Sequence, residues 1–222
     1  MKSLIDRAHE LQAEGIFLGG PIELFETAGR KLLMTLLSEG IYPGSKVLDV
    51  GCGCLRGGYW LIHFLDKGCY FGIEPNRTML EAGMRILLEP GITELKRPRL
   101  DHNSNFDFTV FNEKFDFVVG RSIWTHASKP QIQTMLDSFV QTVNDRGMFL
   151  TSYIPPASPG SDYAGEQWVG RSHESDRPGL VSHSFGWIQS ECTRRGLVAE
   201  EIRTKEFNFS NQIWIRIRRK TV

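Results

Sequence analysis

Hydrophobic positions along the chain alternate between short continuous runs and stripes spaced by three and four residues. The continuous runs predict buried strands at 47–50, 69–73, 115–119 and 148–153. The spaced stripes predict amphipathic helices at 1–39, 59–65, 77–88 and 129–143. Because strands and helices alternate with short links, the pattern predicts an α/β fold with a parallel sheet and helices on both faces.

The last part of the chain has a different pattern. Residues 197–202 and 212–217 predict a strand pair, and in the second strand isoleucines alternate with Trp214, Arg216 and Arg218. Such alternation is typical of a half-buried antiparallel strand. A helix at about 184–195, ended by Gly196, precedes this pair. A weaker signal places a further strand near 99–102.

Helix ends carry their own signals. Asn76 is suited to cap the helix that follows it, and Ser128 with Gln131 three residues later forms a capping box.

The chain of 222 residues is long enough for one domain with a full core, so we expect a single domain over 1–222. Residues 1–40 would form an N-terminal helical cap. Residues 155–183 are rich in Pro, Gly and Ser and lack a periodic apolar pattern. They are long for a plain connection, which predicts an inserted functional loop or lid.

Composition narrows the class of protein. Hydrophobic residues make up 41% and charged residues 23% of the chain, and the formal net charge is +0. Such neutrality counts against nucleic acid or an anionic membrane as partner. No apolar run approaches the ~20 residues of a membrane span, and the charged N-terminus does not fit a signal peptide. We therefore expect a cytoplasmic protein whose four cysteines are reduced thiols without a zinc site.

The strand at 47–50 leads into a glycine-rich turn and then a helix. This arrangement brings backbone N–H groups close to a ligand at the carboxyl end of the strand. Glu74 ends the next strand, 25 residues after Asp49, and is placed to accept hydrogen bonds from ribose hydroxyls. A dinucleotide-binding Gly-x-Gly-x-x-Gly pattern fails, because the sixth position counted from Gly51 is Arg56.

Asp49-x-Gly51-x-Gly53 resembles the first motif, acid-x-Gly-x-Gly-x-Gly, of the class I S-adenosylmethionine-dependent methyltransferases. The chain departs from that motif at Leu55, where a third glycine is usual, and we expect Gly57 and Gly58 to supply the conformational freedom instead. The resemblance implies a Rossmann-like, seven-stranded, mostly parallel sheet with a C-terminal antiparallel pair. It also implies S-adenosylmethionine as cofactor and S-adenosylhomocysteine as product.

The same resemblance implies a set of cofactor-binding residues at the carboxyl ends of the strands. The turn after the first strand would approach the methionine part and ribose, the second strand end would hold the ribose, and the 105–106 pair would lie near adenine. The set comprises Asp49, Gly51, Cys52, Gly53, Glu74, Pro75, Asn105, Phe106, Arg121 and Ser122. Arg121 and Ser122 offer no carboxylate for a magnesium ion, so we expect no metal.

Methyl transfer requires the acceptor in line with the methyl carbon and a group that removes the acceptor's proton. Histidine suits that role near neutral pH. His126 follows the fourth strand and His183 precedes the last helix, so both are candidate catalytic bases. For His126, packing or a cofactor wall is the alternative interpretation. His173, within the 155–183 segment, is a further candidate.

Together these features predict an enzyme that methylates a small-molecule or sugar-like acceptor at oxygen. The lack of net charge and the possible lid favour a small acceptor. Two alternatives stay open at this point: a methyltransferase acting on protein or RNA, and a non-catalytic module that binds S-adenosylmethionine.

Overall fold

The computed structural model describes residues 2–172, 178–203 and 211–220. Helices and strands alternate along these residues. The helices are α1 (Leu4–Ala13), α2 (Phe25–Ser38), α3 (Gly58–Phe64), α4 (Arg77–Leu87), α5 (Ile92–Lys96), α6 (Lys129–Thr142) and α7 (Phe185–Arg194), with 3-10 turns at Ile22–Leu24 and Thr109–Phe111. The strands are β1 (Val47–Val50), β2 (Tyr70–Ile73), β3 (Arg99–Asp101), β4 (Phe115–Gly120), β5 (Val143–Tyr153), β6 (Leu197–Ile202) and β7 (Ile213–Arg219).

Within the described residues these strands form one seven-stranded sheet in the order β3-β2-β1-β4-β5-β7-β6. This confirms the predicted mostly parallel sheet. By contacts the chain divides into two compact units, Met1–His102 and Asn103–Val222.

The first unit contains the parallel strands β3, β2 and β1. Asp49 lies opposite Gly72, and Ile73 lies opposite Val50 on one side and Asp101 on the other. Every residue of β1 and β2 is buried. Burial of both faces explains why these strands appear in the sequence as continuous apolar runs rather than alternating ones.

A buried arginine anchors the N-terminal helix within the first unit. Helix α1 begins with a capping box between Ser3 and Asp6. The Arg7 guanidinium, only 8% exposed, donates to the Leu87 carbonyl and to Glu89 Oε1, the latter at 2.9 Å. Glu89 thus neutralises a cation that would be costly to bury alone.

The second unit contains β4, β5, β7 and β6. Strands β4 and β5 are parallel, whereas β7 is antiparallel to both β5 and β6. Strand β7 therefore lies inside the sheet, and Arg216 and Arg218 bond Glu200 of β6 at 3.3 and 3.1 Å. Trp214 is 3% exposed, although the alternation places it on the arginine face, because that face is covered at this end of the strand.

The predicted helix caps are confirmed. Asn76 Oδ1 accepts from the Met79 N–H at 3.0 Å, and Ser128 forms the predicted capping box with Gln131. The short helix α5 was not predicted, because a single turn between left-handed Gly91 (φ 85°) and Arg97 (φ 50°) is too short to show periodicity. Strand β5 begins at Val143 rather than Met148, with Val143 opposite Phe115 across a register shift.

Close packing of α4 against the glycine-rich turn generates a stability prediction. A Cβ on Gly83 would lie 2.3 Å from the Cys54 carbonyl oxygen, a backbone atom that cannot rotate away. We expect Gly83→Ala to lower the free energy of unfolding by about 1–3 kcal/mol, the usual cost of overpacking. In contrast, Gly186→Ala in α7, where a Cβ meets no atom within 4 Å, should raise it by up to about 1 kcal/mol. Urea titration of both variants measures the difference, and equal stability of Gly83→Ala and wild type would contradict this packing.

Candidate functional site

The turn after β1 alternates left-handed residues. Gly51, Gly53 and Leu55 have φ of 70°, 58° and 65°. Glycine adopts this conformation without penalty, whereas leucine is strained there. The Leu55 side chain is completely buried, and this burial offsets the strain. The backbone of the turn is therefore left-handed at all three positions, although leucine stands at the third.

Gly57 and Gly58 do not supply the missing freedom, so that expectation was wrong. Gly57 has an ordinary φ of −81°. Both residues are needed for close packing instead. A Cβ would lie 2.3 Å from Leu32 Cδ2 at Gly57 and 2.5 Å from the Tyr70 hydroxyl at Gly58.

Glu74 links this turn to the turn after β2. Its Oε2 accepts from the Gly53 N–H at 3.0 Å, and its Oε1 accepts from the Asn76 N–H at 2.9 Å. The His102 ring donates from Nδ1 to the Glu74 carbonyl at 2.8 Å, because a carbonyl oxygen can only accept. A carboxylate offers about four lone-pair positions, and these two backbone donors take two of them. Pro75 stands between Glu74 and Asn76 in the sequence, and it is half-buried.

Asp49 is a buried carboxyl next to this pair of turns. It is 4% exposed, and its Oδ2 accepts from the Tyr70 hydroxyl at 3.0 Å. Burial, with the nearby charge of Glu74 adding to it, raises the pKa of Asp49 to about 7, against the opposing bond from Tyr70. Burial also raises the pKa of the Cys52 thiol well above its usual value. The Cys52 thiol is therefore neutral at pH 7.

Six predicted site residues, from Asp49 to Pro75, thus lie together in the first unit. Tyr70 and His102, which bond Asp49 and Glu74 respectively, were not predicted from the sequence. A tyrosine in an otherwise apolar buried strand was the available signal, since a buried hydroxyl needs a partner.

The remaining predicted residues lie in the second unit. Asn105 is exposed, and the loop around it is braced by Asn103, which accepts from the Asp107 N–H at 3.0 Å and donates to the Asp107 carbonyl at 3.1 Å. Phe106 is left-handed, with φ 58°. Its ring stacks with that of Trp168 at a centroid distance of 6.4 Å.

Ser122 stands directly after β4 with a left-handed φ of 61°. Its N–H donates to Ser152 Oγ at 2.8 Å, and its Oγ donates to Gln212 Oε1 at 2.9 Å. Ser152 Oγ bonds the same Gln212 oxygen at 2.7 Å. Strained non-glycine residues cluster at functional sites, so Ser122 and the preceding Arg121 stay candidates. Gln212 was not identified from the sequence, because it lies 90 residues from Ser122.

The ring of Trp168 and the carbonyl group of Val169 orient the His126 side chain. Its imidazole stacks on Trp168 at 5.3 Å, and its Nδ1 lies 2.7 Å from the Val169 carbonyl oxygen. Since that oxygen can only accept, Nδ1 carries the proton and Nε2 keeps the lone pair. Burial lowers the pKa of His126, opposed by the Val169 and Gly179 carbonyls, so the ring is neutral at pH 7.

The described part of segment 155–183 is tied to neighbouring backbone. Val169 donates to the His126 carbonyl at 2.9 Å, Val181 to the Thr125 carbonyl at 2.8 Å, and His183 to the Ile154 carbonyl at 3.0 Å. These bonds hold Trp168 beside His126. His173 falls outside the described residues.

His183 is completely buried. Its Nε2 donates to the Ala127 carbonyl at 2.9 Å, and its Nδ1 has no hydrogen-bond partner among the residues that the structure describes. Burial lowers its pKa. A completely buried nitrogen exchanges a proton only with a group in direct contact, so His126, which is half-buried, is better placed to meet an acceptor.

Two further features of the described residues bear on the site. No group of three or more His, Cys, Asp or Glu side chains within 2–172, 178–203 and 211–220 could hold a metal ion. In the same ranges, no helix combines the length and apolar character that a membrane span requires.

Comparison with known proteins gives one family match. A family model described as a methyltransferase domain matches residues 23–197, which is most of the chain. An uncharacterized protein of Rickettsia prowazekii (strain Madrid E) is 27% identical over 112 residues. That match covers 49% of this chain and 42% of the relative, so the chain spans less than half the length of the curated relative it matches.

Solved structures share the fold at low sequence identity. The glycopeptide N-methyltransferase MtfA has a TM-score of 0.64 at 13% identity, covering 86% of this chain and 90% of that chain. The DhpI–SAH complex has a TM-score of 0.63 at 15% identity, and the match covers 97% of this chain and 93% of that chain. Magnesium protoporphyrin IX methyltransferase (ChlM) from Synechocystis PCC 6803 with bound SAH has a TM-score of 0.59 at 14% identity. That match covers 87% of this chain and 82% of that chain.

The raised pKa of Asp49 predicts a pH-dependent stability. Because the folded pKa of about 7 exceeds the ordinary value of 3.8, the folded state binds a proton that the unfolded state releases. The contribution of Asp49 is fully present below pH 3.8 and is lost as pH rises through 7. Relative to Asp49→Asn, the ligand-free wild type should lose up to about 4 kcal/mol of unfolding free energy over this interval.

Urea titrations at a series of pH values measure this difference. Asp145→Asn, at an exposed carboxylate, is the matched control. A flat difference for Asp49→Asn would show that Asp49 ionises normally.

Proposed function

Because the chain belongs to the methyltransferase family whose domain model matches residues 23–197, we propose that it transfers the methyl group of S-adenosylmethionine to an oxygen of a small-molecule or sugar-like acceptor. The resemblance found at 47–53 is confirmed at the level of the family. The methyl donor, the acceptor class and the roles of individual residues are proposals that rest on the geometry of each unit.

The bonded pair of turns in the first unit is the observation that carries the donor assignment. Glu74 holds the Gly53 N–H at the carboxyl end of β1 and β2, where α/β sheets bind nucleosides. In our proposal its carboxylate also accepts from the ribose hydroxyls. Gly51 and Gly53 have no side chain to hinder close approach of the donor, and Asp49 faces its positively charged part.

Methyl transfer from a sulfonium needs little covalent assistance, since the leaving group is already activated. The protein must align the acceptor and remove its proton as the new bond forms. We assign proton removal to His126 Nε2, because Nδ1 is committed to the Val169 carbonyl and the lowered pKa keeps the ring neutral. Trp168 positions the ring by stacking. His183, being completely buried, takes a packing role in this proposal.

Two features support a small acceptor. The segment that carries Trp168 and Val169 is bonded over the His126 backbone, which favours a covered site rather than an open groove. The formal net charge of +0 provides no broad field for RNA.

The donor assignment predicts the effect of a single-atom change at Glu74. In Glu74→Gln one oxygen becomes an NH₂ group, which faces the N–H of either Gly53 or Asn76 and cannot accept from a ribose hydroxyl. We expect S-adenosylhomocysteine to bind about 10- to 100-fold more weakly, as for the loss of hydrogen bonds to a charged group. Isothermal titration calorimetry measures this, with Glu81→Gln at an exposed position of α4 as the control. No binding to wild type, or equal binding to both variants, would refute the donor assignment.

The base assignment predicts a loss of turnover without a loss of donor binding. His126→Gln keeps a side-chain donor for the Val169 carbonyl but has no titratable nitrogen. We expect methyl transfer to fall by about 10²–10⁴-fold, while S-adenosylhomocysteine affinity stays the same. The wild-type rate should fall as pH drops through the His126 pKa, which lies below 6.5.

Methyl-labelled donor and a fractionated cell extract supply the assay, with His9→Gln at an exposed position of α1 as the control. Unchanged turnover in His126→Gln would remove His126 as base. Label in protein or RNA fractions instead of small molecules would overturn the acceptor class.

A further inference from the structure

Arg56 is a cation to which the fold of the first unit gives no partner. Its guanidinium makes no hydrogen bond or ion pair with any residue within 2–172, 178–203 and 211–220. Three other arginines of the unit are paired: Arg7 with Glu89 at 2.9 Å, Arg30 with Glu26 at 3.6 Å and Arg85 with Glu14 at 2.6 Å. Arg77 and Arg97 are exposed to solvent, whereas Arg56 is half-buried. Arg56 is therefore not a routine surface charge.

The residues that face the Arg56 guanidinium, Gly19 and Gly20, have no side chains that could cover its nitrogens. The guanidinium lies against Gly19 and Gly20, where a Cβ would stand 3.5 Å from Nη2 and 3.4 Å from Nη1 respectively. Both glycines have positive φ, 72° and 151°. Larger residues would be strained there, and they would crowd the terminal nitrogens. Arg56 is half-buried at this position, and the two glycines place no side chain against its planar fork of donors.

The position of Arg56 relates it to the proposed donor site. It follows Leu55, whose N–H donates to the Cys52 carbonyl at 3.0 Å and so fixes the turn that begins at Gly51. The backbone of Arg56 is equally constrained, since its carbonyl oxygen would be 2.3 Å from a Cβ on Gly29. Its side chain therefore starts from a rigid point three residues after Gly53, the residue bonded to Glu74.

Energetics identify the kind of group that Arg56 suits. Burial lowers the pKa of Arg56, which shows that the cation is partly removed from water. Cys54, the titratable group whose charge acts on Arg56, cannot compensate, because burial raises the pKa of its thiol to about 11. A desolvated guanidinium without a counter-charge is costly. Its planar donors match the paired oxygens of a carboxylate or phosphate-type group.

We propose that Arg56 binds an oxyanion, a carboxylate or phosphate-type group, of a molecule held at the 51–58 turn. This inference rests on the proposed function for the identity of that molecule. Two sources have the required chemistry: the carboxylate in the methionine part of the methyl donor, and an anionic group on the acceptor.

Calorimetry at constant ionic strength distinguishes the two sources. The ligands are S-adenosylhomocysteine, 5′-methylthioadenosine, which has the nucleoside but no carboxylate, and inorganic phosphate added to the protein saturated with S-adenosylhomocysteine. The variants are Arg56→Met, which keeps the length without charge, and Arg56→Lys, which keeps the charge without the fork. Arg146→Met, at an exposed arginine, is the matched control. Unfolding midpoints establish that each variant is folded, and Arg56→Lys serves if Arg56→Met is not.

If Arg56 binds the donor carboxylate, Arg56→Met weakens S-adenosylhomocysteine about 10-fold or more and leaves 5′-methylthioadenosine unchanged. If it binds an acceptor group, both nucleosides bind as in wild type, while phosphate binding is lost in Arg56→Met and weakened in Arg56→Lys. Either result supports the proposal.

The proposal is overturned if Arg56→Met binds all three ligands with the affinity of wild type. It is also overturned if Arg56→Met loses affinity equally for both nucleosides, since that indicates a role in shaping the turn. Phosphate binding that depends on Arg56 in a wild type that binds neither nucleoside would refute the proposed function but sustain the oxyanion site.

Discussion

One carboxylate, that of Glu74, constrains the carboxyl end of the first unit's sheet. It bonds the Gly53 N–H of one turn and the Asn76 N–H of the next, and Asn76 in turn caps α4. Helix α4 can approach because Gly83 presents no side chain to the Cys54 carbonyl. Hydrogen bonds and close packing therefore connect the two turns, the start of the helix and the strand ends. A ligand that bonds Glu74 meets a carboxylate whose geometry is already fixed, which limits the entropy lost on binding.

The charge of Glu74 also adds to the effect of burial that raises the pKa of Asp49. Burial and the charge of Glu74 both disfavour its ionised form, and only Tyr70 opposes them. A positively charged group beside Asp49 would reverse that balance and favour the carboxylate. In the proposed function, binding of a cationic donor beside Asp49 would therefore be coupled to release of a proton.

What the sequence predicted well has local causes. Buried strands, the capping residues Asn76 and Ser128, and the acidic residue at the end of β2 all follow from short patterns whose physics is complete within a few residues. Leu55 was harder, because its left-handed backbone is stabilised by burial that a pattern does not show. The burial of His183 and the lack of a partner for Arg56 depend on residues distant in sequence, and no local signal reports them.

The same contrast between local and distant causes separates the residues assigned to the methyl donor from His126 and Ser122. The residues assigned to the donor are adjacent in sequence or bonded across neighbouring turns, so a motif can identify them. His126 acquires its tautomer from Val169, 43 residues away, and Ser122 meets Gln212, 90 residues away. Solved structures of the same fold include a glycopeptide N-methyltransferase and a porphyrin methyltransferase, so the fold accommodates very different acceptors. In the proposed function, acceptor specificity depends on such long-range contacts, to which the described part of the 155–183 segment contributes Trp168 and Val169.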